Sequence, residues 1–204
     1  MKIQSVEKYK GSTLCVLFED GRRLYVNREI AREYGFSAGA EVTLALVREA
    51  KNASDLRRAK ERALYLLTSR DHSYRELYDK LEKNYPEAVC FEICNKMTGM
   101  GFLNDARYAE KLARELLEVR QFGFYRVRQE MRRKGLDDES IASALEPYED
   151  SVQERLILLV RRKYLRYLGD EKGTQKVKAA LVRMGYGYSD IREVLTRLEQ
   201  DEEE

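Results

Sequence analysis

Twelve basic residues stand where their spacing would let them meet phosphate groups. Six of them, Arg120, Arg126, Arg128, Arg132, Arg133 and Lys134, fall in a stretch that holds one acid, Glu130. Val127 and Met131 lie four apart, as the buried stripe of a helix does. At 100° per residue, Arg126, Arg128, Arg132 and Arg133 then fan across the opposite side. Fifty residues on, Lys176, Lys178 and Arg183 occupy the columns of Arg126, Arg128 and Arg133, whereas fifty residues earlier those columns hold Glu76, Tyr78 and Lys83. Arg161, Arg162 and Arg166 extend the stripe. Clustered guanidinium and ammonium groups suit a phosphate backbone or an acidic protein groove. Any one of these arginines reads equally well as a solvated helix face, but the column-by-column recurrence argues for a surface. Phe122, Phe124 and Tyr125 lie beside the patch and offer rings on which bases can stack. Phe124, however, shares the side of Val127 and Met131 and is expected in the core.

Other chemistries find little support. The chain has no GxxxxGK[ST], HExxH, GxSxG or CxxC pattern, so no catalytic residues are assigned. Gly99-Met100-Gly101 and Gly185-Tyr186-Gly187 read as helix ends rather than phosphate cradles. Cys90 and Cys94 are one helical turn apart, yet one histidine, His72, and no second cysteine pair leave a four-ligand metal site incomplete. No metal and no cofactor are expected, and both thiols read as small core residues. His72 precedes a helix start and reads as an ordinary loop histidine. Three cysteines leave one unpaired, which suits a reducing, cytoplasmic setting. The net charge of +2 makes the basic patch a local concentration rather than a property of the whole chain. No apolar run exceeds the five residues Leu156 to Val160, far short of the ~20 a spanning helix needs, so no membrane partner is expected.

The elements that must carry these residues repeat with the same fifty-residue period. Leu77 and Leu81 recur as Val127 and Met131, then as Val177 and Leu181. Ser73, Gly123 and Gly173 stand four before each pair and mark helix starts. Ile141 and Leu145 recur as Ile191 and Leu195. Ala59, Ala63, Leu66 and Leu67 return as Ala109, Ala113, Leu116 and Leu117, while the third copy departs and must bury Leu156, Leu159, Val160 and Tyr164 instead. Ser73-x-x-Glu76 is a capping box. Gly135 and Gly185 end the second helices, and third helices begin near Pro86, Asp137 and Ser189. A mainly α chain follows: nine helices in three tandem three-helix repeats, an extended array over residues 54–101, 102–148 and 149–200. With 36% charged residues and two prolines, long solvated helices are favoured over a proline-rich linker.

Residues 1–50 have another texture. The stretches 3–9, 13–18 and 22–26 are rich in β-branched and apolar residues, and Asp20-Gly21 suits a tight turn between the last two. Asn27 can cap a short helix that Gly35 ends, before a second apolar stretch from Val42 to Val47. This small β-rich head is too small for a large core of its own and is expected to pack on the first repeat or act as a separate contact module. The helical pattern begins at Ser54. The acidic end, Asp201-Glu202-Glu203-Glu204, is expected to be frayed and solvated.

Three motifs in order resemble the RecX family of RecA regulators. They are Ala63-Leu64-x-x-Leu67-x-x-Arg70-x-x-Ser73-x-x-Glu76-Leu77-x-x-Lys80-Leu81, then Gly101-Phe102-Leu103-Asn104-Asp105-x-Arg107-Tyr108-Ala109 with Gly123-x-x-x-Val127-x-x-Glu130-Met131-x-x-Lys134-Gly135-Leu136, then Lys178-x-x-Leu181-x-x-Met184-Gly185-Tyr186. Asn104 stands where the family usually has Asp, and Met131 where it usually has Leu or Ile; both changes keep the capping or packing role. The resemblance covers residues 55–199. It implies a non-enzymatic regulator, a monomer, that binds within the groove of the RecA nucleoprotein filament and restrains ATP hydrolysis, strand exchange and coprotease activity, with single- or double-stranded DNA as a further partner. The alternative class is a tandem helix-turn-helix-like regulator that acts directly on nucleic acid, because three short helices per unit also describe such domains.

Overall fold

The structure, a computed structural model, describes the backbone of residues 1–203 and the side chains of residues 1–200; the expectation placed on Asp201-Glu202-Glu203-Glu204 lies outside the residues so described. Period-two patterning near the N-terminus gives three strands, β1 (Ile3–Lys10), β2 (Thr13–Phe18) and β3 (Arg23–Asn27). They form an antiparallel sheet in the order β1-β2-β3, with Val6, Val16 and Leu24 in register. Gly21 turns the chain between β2 and β3 at φ 84°, a conformation that a side chain resists. Asn27 closes β3 and opens α1 (Arg28–Glu33), its side chain accepting the Glu29 N–H at 2.9 Å.

The next helix departs from the sequence expectation. α2 runs from Leu44 to Ser69 rather than beginning at Ser54, so the apolar stretch after Val42 is helical. Thr43 explains the early start: its hydroxyl accepts the Leu46 N–H at 3.2 Å and caps the helix. The same helix serves two cores. Ala50 packs in a cluster of ten buried residues with Ile3, Val16, Phe18, Val26 and Phe36, so the head has a small core of its own. Ser54 ties the two parts, since its Oγ accepts the Asn27 backbone N–H at 2.8 Å. The later turns of α2 bury Ala59, Ala63 and Leu66 and pack on α4.

Beyond α2 the fifty-residue period becomes three three-helix repeats. The first contains α2, α3 (Tyr74–Leu81) and α4 (Glu87–Gly99). The second contains α5 (Asp105–Arg114), which continues as a π-helical turn at Glu115–Val119, then α6 (Phe124–Arg133) and α7 (Asp138–Leu145). The third contains α8 (Val152–Lys163), α9 (Glu171–Arg183) and α10 (Tyr188–Glu203). The apolar columns named above face inward, with Leu67 and Tyr164 half-buried. Leu77, Leu81, Val127, Met131 and Leu181 are fully buried, and the third repeat buries Leu156, Leu159 and Val160. α9 begins two residues before Gly173, because the carboxylate of Asp170 accepts the Gly173 N–H. The chain divides into two compact units, residues 1–72 with 76–103, and 73–75 with the remainder from 104 onward.

Two buried groups in the first unit differ in character from the loops around them. Cys94 lies among Val89, Cys90, Ile93 and Met97, and burial pushes its thiol up to about 12. It is a core thiol, and among the described residues no group of His, Cys, Asp and Glu is arranged to hold a metal ion. His72 is no ordinary loop residue: it is 3% exposed. Its Nδ1 lies 3.0 Å from the Arg70 carbonyl oxygen, an acceptor only, so Nδ1 carries the proton. Burial lowers its affinity for a second proton. No helix among the described residues is long and apolar enough to cross a membrane.

Candidate nucleic-acid and filament interface

The second unit joins repeats two and three end to end, and this join positions the cations. α6 starts at Gly123 without a side-chain cap, which leaves its first N–H groups to be satisfied from elsewhere. The end of α9 supplies them. Gly123 N–H donates to the Met184 carbonyl at 2.8 Å and Tyr125 N–H to the Gly185 carbonyl at 3.1 Å. One helix end with orphan donors therefore meets another with orphan acceptors, and the two dipoles run head to tail. Glycine is required on both sides. A Cβ on Gly123 would sit 2.2 Å from the Gly185 oxygen, and one on Gly185, at φ 88°, would sit 2.4 Å from the Arg126 nitrogen. Tyr186 adds a bond from its hydroxyl to the Gln121 carbonyl at 3.2 Å, and so braces Gln121, which adopts φ 57°.

The join brings some predicted cations together. Arg126 and Arg133 of α6 and Arg183 of α9 line one groove of about 380 Å³ with Tyr125, Gln129 and Glu130. Arg126 stacks on Phe122 at 3.9 Å and donates to the Arg183 carbonyl at 3.3 Å. Arg128 lies elsewhere, over Phe124 and 4.0 Å from Glu149. Phe124 packs against the core of repeat two, as its column requires, and Tyr125 is exposed. Arg132 pairs with Asp138 at 2.7 Å, Arg133 with Glu130, and Arg120 with Glu115 at 3.6 Å. Lys134 is the C-cap of α6. Arg120, Arg128, Arg132 and Arg133 thus each lie beside a carboxylate.

Repeat three is organised differently. Tyr164, Arg166, Tyr167, Asp170, Lys172, Gly173 and Lys176 line a groove of about 580 Å³ between the end of α8 and the start of α9. Arg161, Arg162, Lys163 and Arg166 line an adjoining one of about 840 Å³. Arg166 stacks on Tyr167 at 4.8 Å, and Arg162 reaches the Gln121 side chain. Arg162, Arg166, Lys172, Lys176, Lys178 and Arg183 form no ion pair among the described residues. Sequence columns did not single out Lys163, the last residue of α8, Lys172 in the first turn of α9, or the two tyrosines on the irregular connection between them, where helical periodicity carries no information. Arg155 was also missed. It lies between the rings of Phe124 and Tyr148, at 5.5 and 5.4 Å, with Nε and Nη1 buried and without a partner.

Family models match all three repeats. They are described as the first, second and third three-helix domains of RecX and cover residues 59–97, 104–145 and 149–195. The chain is 37% identical over 145 residues to regulatory protein RecX of Stenotrophomonas maltophilia, which spans 70% of this chain and 87% of that protein. It is 30% identical over 147 residues to regulatory protein RecX of Prosthecochloris aestuarii, spanning 71% and 96% respectively. A crystal structure of a regulatory protein RecX shares the fold, head included, with a TM-score of 0.67 over 96% of this chain and 98% of that one at 21% identity.

Proposed function

Because the chain belongs to the RecX family of regulatory proteins, we propose that it binds the nucleoprotein filament of the RecA recombinase and lowers its ATP hydrolysis, strand exchange and coprotease activity. Repeats two and three form the docking surface, through Arg126, Arg133 and Arg183 at their join and Arg162, Arg166, Lys176 and Lys178 beyond it. The observation that carries this reading is the set of cations in repeat three with no carboxylate partner among the described residues. An unneutralised cation that is already held in place gains more from a phosphate or an acidic groove than one that must first leave an ion pair. Such a protein acts in the cytoplasm, where the filament assembles, and as a monomer that presents one such surface.

A direct DNA-binding regulator is the competing class, and α6 fits it poorly. A recognition helix reads base edges with its N-terminal residues, whereas the first N–H groups of α6 are held by the end of α9. Co-sedimentation with RecA on single-stranded DNA, with ATP hydrolysis followed alongside, separates the classes. Binding that depends on the filament and slows hydrolysis is expected. Selective binding to one duplex sequence without any recombinase would replace this reading with direct regulation.

A further inference from the structure

The head's sheet is covered on one face only. Val16, Leu24 and Val26 point to the core shared with α1 and α2. Cys15 pairs with Glu7 on one side and Tyr25 on the other, so this row belongs to the opposite face, together with Ser5, Tyr9, Leu17 and Arg23. That face is open. Tyr9 is 64% exposed and Tyr25 36% exposed. Although they stand on the two outer strands, their rings meet across β2 with centroids 4.7 Å apart, tilted by 56°. The small Thr13 and Cys15 of β2 leave room beneath them.

Charge around this pair has one prevailing sign. Lys10 follows Tyr9 and pairs with Thr13, and Arg23 stands two residues before Tyr25 on the same face, whereas Lys8 pairs with Leu14 on the core side of the sheet. Arg28 is anchored at the β1–β2 turn, where its N–H bonds the Ser12 carbonyl. Lys10, Arg23 and Arg28 form no ion pair among the described residues. The head's acids Glu19, Asp20 and Glu29 are instead engaged by Lys2, Arg22 and Arg57. Glu7 is the one carboxylate in the outer row, and it accepts from the Ser5 hydroxyl at 3.0 Å.

We infer that the outer face of this sheet binds single-stranded nucleic acid, with bases stacked on Tyr9 and Tyr25 and phosphates held by Lys10, Arg23 and Arg28. Exposed aromatic rings set among cations are how proteins hold unpaired strands without reading sequence, since every base has a π-face. A duplex hides those faces. A protein partner fits less well, because lysine is depleted at protein interfaces. The site lies in the other compact unit from the cations of repeats two and three and does not depend on the reading given to them.

The test uses the full chain and an iodouracil-substituted oligothymidylate, cross-linked by light and mapped by mass spectrometry. Adducts on Tyr9 or Tyr25 are expected. The Tyr9→Leu/Tyr25→Leu variant keeps apolar area but cannot stack, and should bind the oligonucleotide about five-fold or more weakly, with Tyr9→Phe/Tyr25→Phe restoring affinity. Lys10→Gln/Arg23→Gln should instead flatten the salt dependence by about 0.7 per lost contact. Adducts confined to repeats two and three, unchanged affinity in the leucine variant, or equal competition by duplex would each overturn the head site and leave the proposal for the repeats standing. Adducts on the tyrosines that persist in an Arg166→Ala/Lys176→Ala variant would support the head site even if the reading of the repeats failed.

Discussion

At His72 a ring is buried in its neutral form, and the consequence is a pH dependence with a fixed sign. The folded protein holds fewer protons on this ring than the unfolded chain once the pH falls below the ordinary value near 6.5. Its contribution is therefore present at neutral pH and lost on acidification. The denaturation midpoint should fall between about pH 7.5 and about pH 5.5, and His72→Gln should reduce that fall. A variant with the parent's slope would show that His72 titrates normally. Arg155 makes a second case, in which two effects oppose each other. Its stacking on Phe124 and Tyr148 favours the guanidinium by about 0.5–1 kcal/mol per ring. Two buried nitrogens without a hydrogen-bond partner cost about 1–3 kcal/mol each, and burial also lowers its pKa. The cost is larger, so Arg155→Met should leave thermal stability unchanged or raise it. A loss above about 2 kcal/mol would mean that the stacking dominates.

Among the elements, α6 depends on a helix that follows it by some fifty residues. Its own sequence gives no capping side chain, so it relies on the carbonyls of Met184 and Gly185. Gly123→Ala should therefore cost about 2–4 kcal/mol, because its Cβ would displace backbone atoms of the join. Gly169→Ala provides the control, since a Cβ there meets nothing within 4 Å, and urea denaturation of the two variants should separate them clearly. Equal midpoints would mean that the two helix ends do not depend on each other. In hydrogen exchange, the amides of Gly123 and Tyr125 should open together with those at the end of α9 rather than fray as a free helix start would.

For the molecule as a whole, the two basic repeats should contribute unequally to binding. Arg120, Arg128, Arg132 and Arg133 of repeat two lie beside carboxylates, whereas Arg166 and Lys176 of repeat three form no ion pair among the described residues. In titrations of DNA or filament affinity against salt, Arg166→Ala/Lys176→Ala should lower the slope by about 0.7–0.9 per contact, while Arg132→Ala/Arg133→Ala should change it less. The reverse order would move the surface to repeat two. Much of the architecture was legible beforehand, because periodicity is a local property. Residues four apart share a helix face in any context, so Val127/Met131 and Val177/Leu181 announced buried stripes, and Asn27 and Gly185 announced ends that their backbone preferences enforce. The start of α2 was obscured, since Val42 to Val47 is apolar enough for either strand or helix and only the packing of Ala50 beneath the sheet settles the matter. The columns likewise told which side of α6 and α9 faces outward but not which cations become neighbours. Arg126 meets Arg183 rather than its column partner Lys176, which instead shares a groove with Arg166. Three helical repeats, their inward faces and a local excess of positive charge follow from spacing along one chain and need no knowledge of the fold. Which of those charges stay unpaired and which share a groove depends on the folded arrangement, because neutralisation needs carboxylates brought close by folding rather than by sequence order.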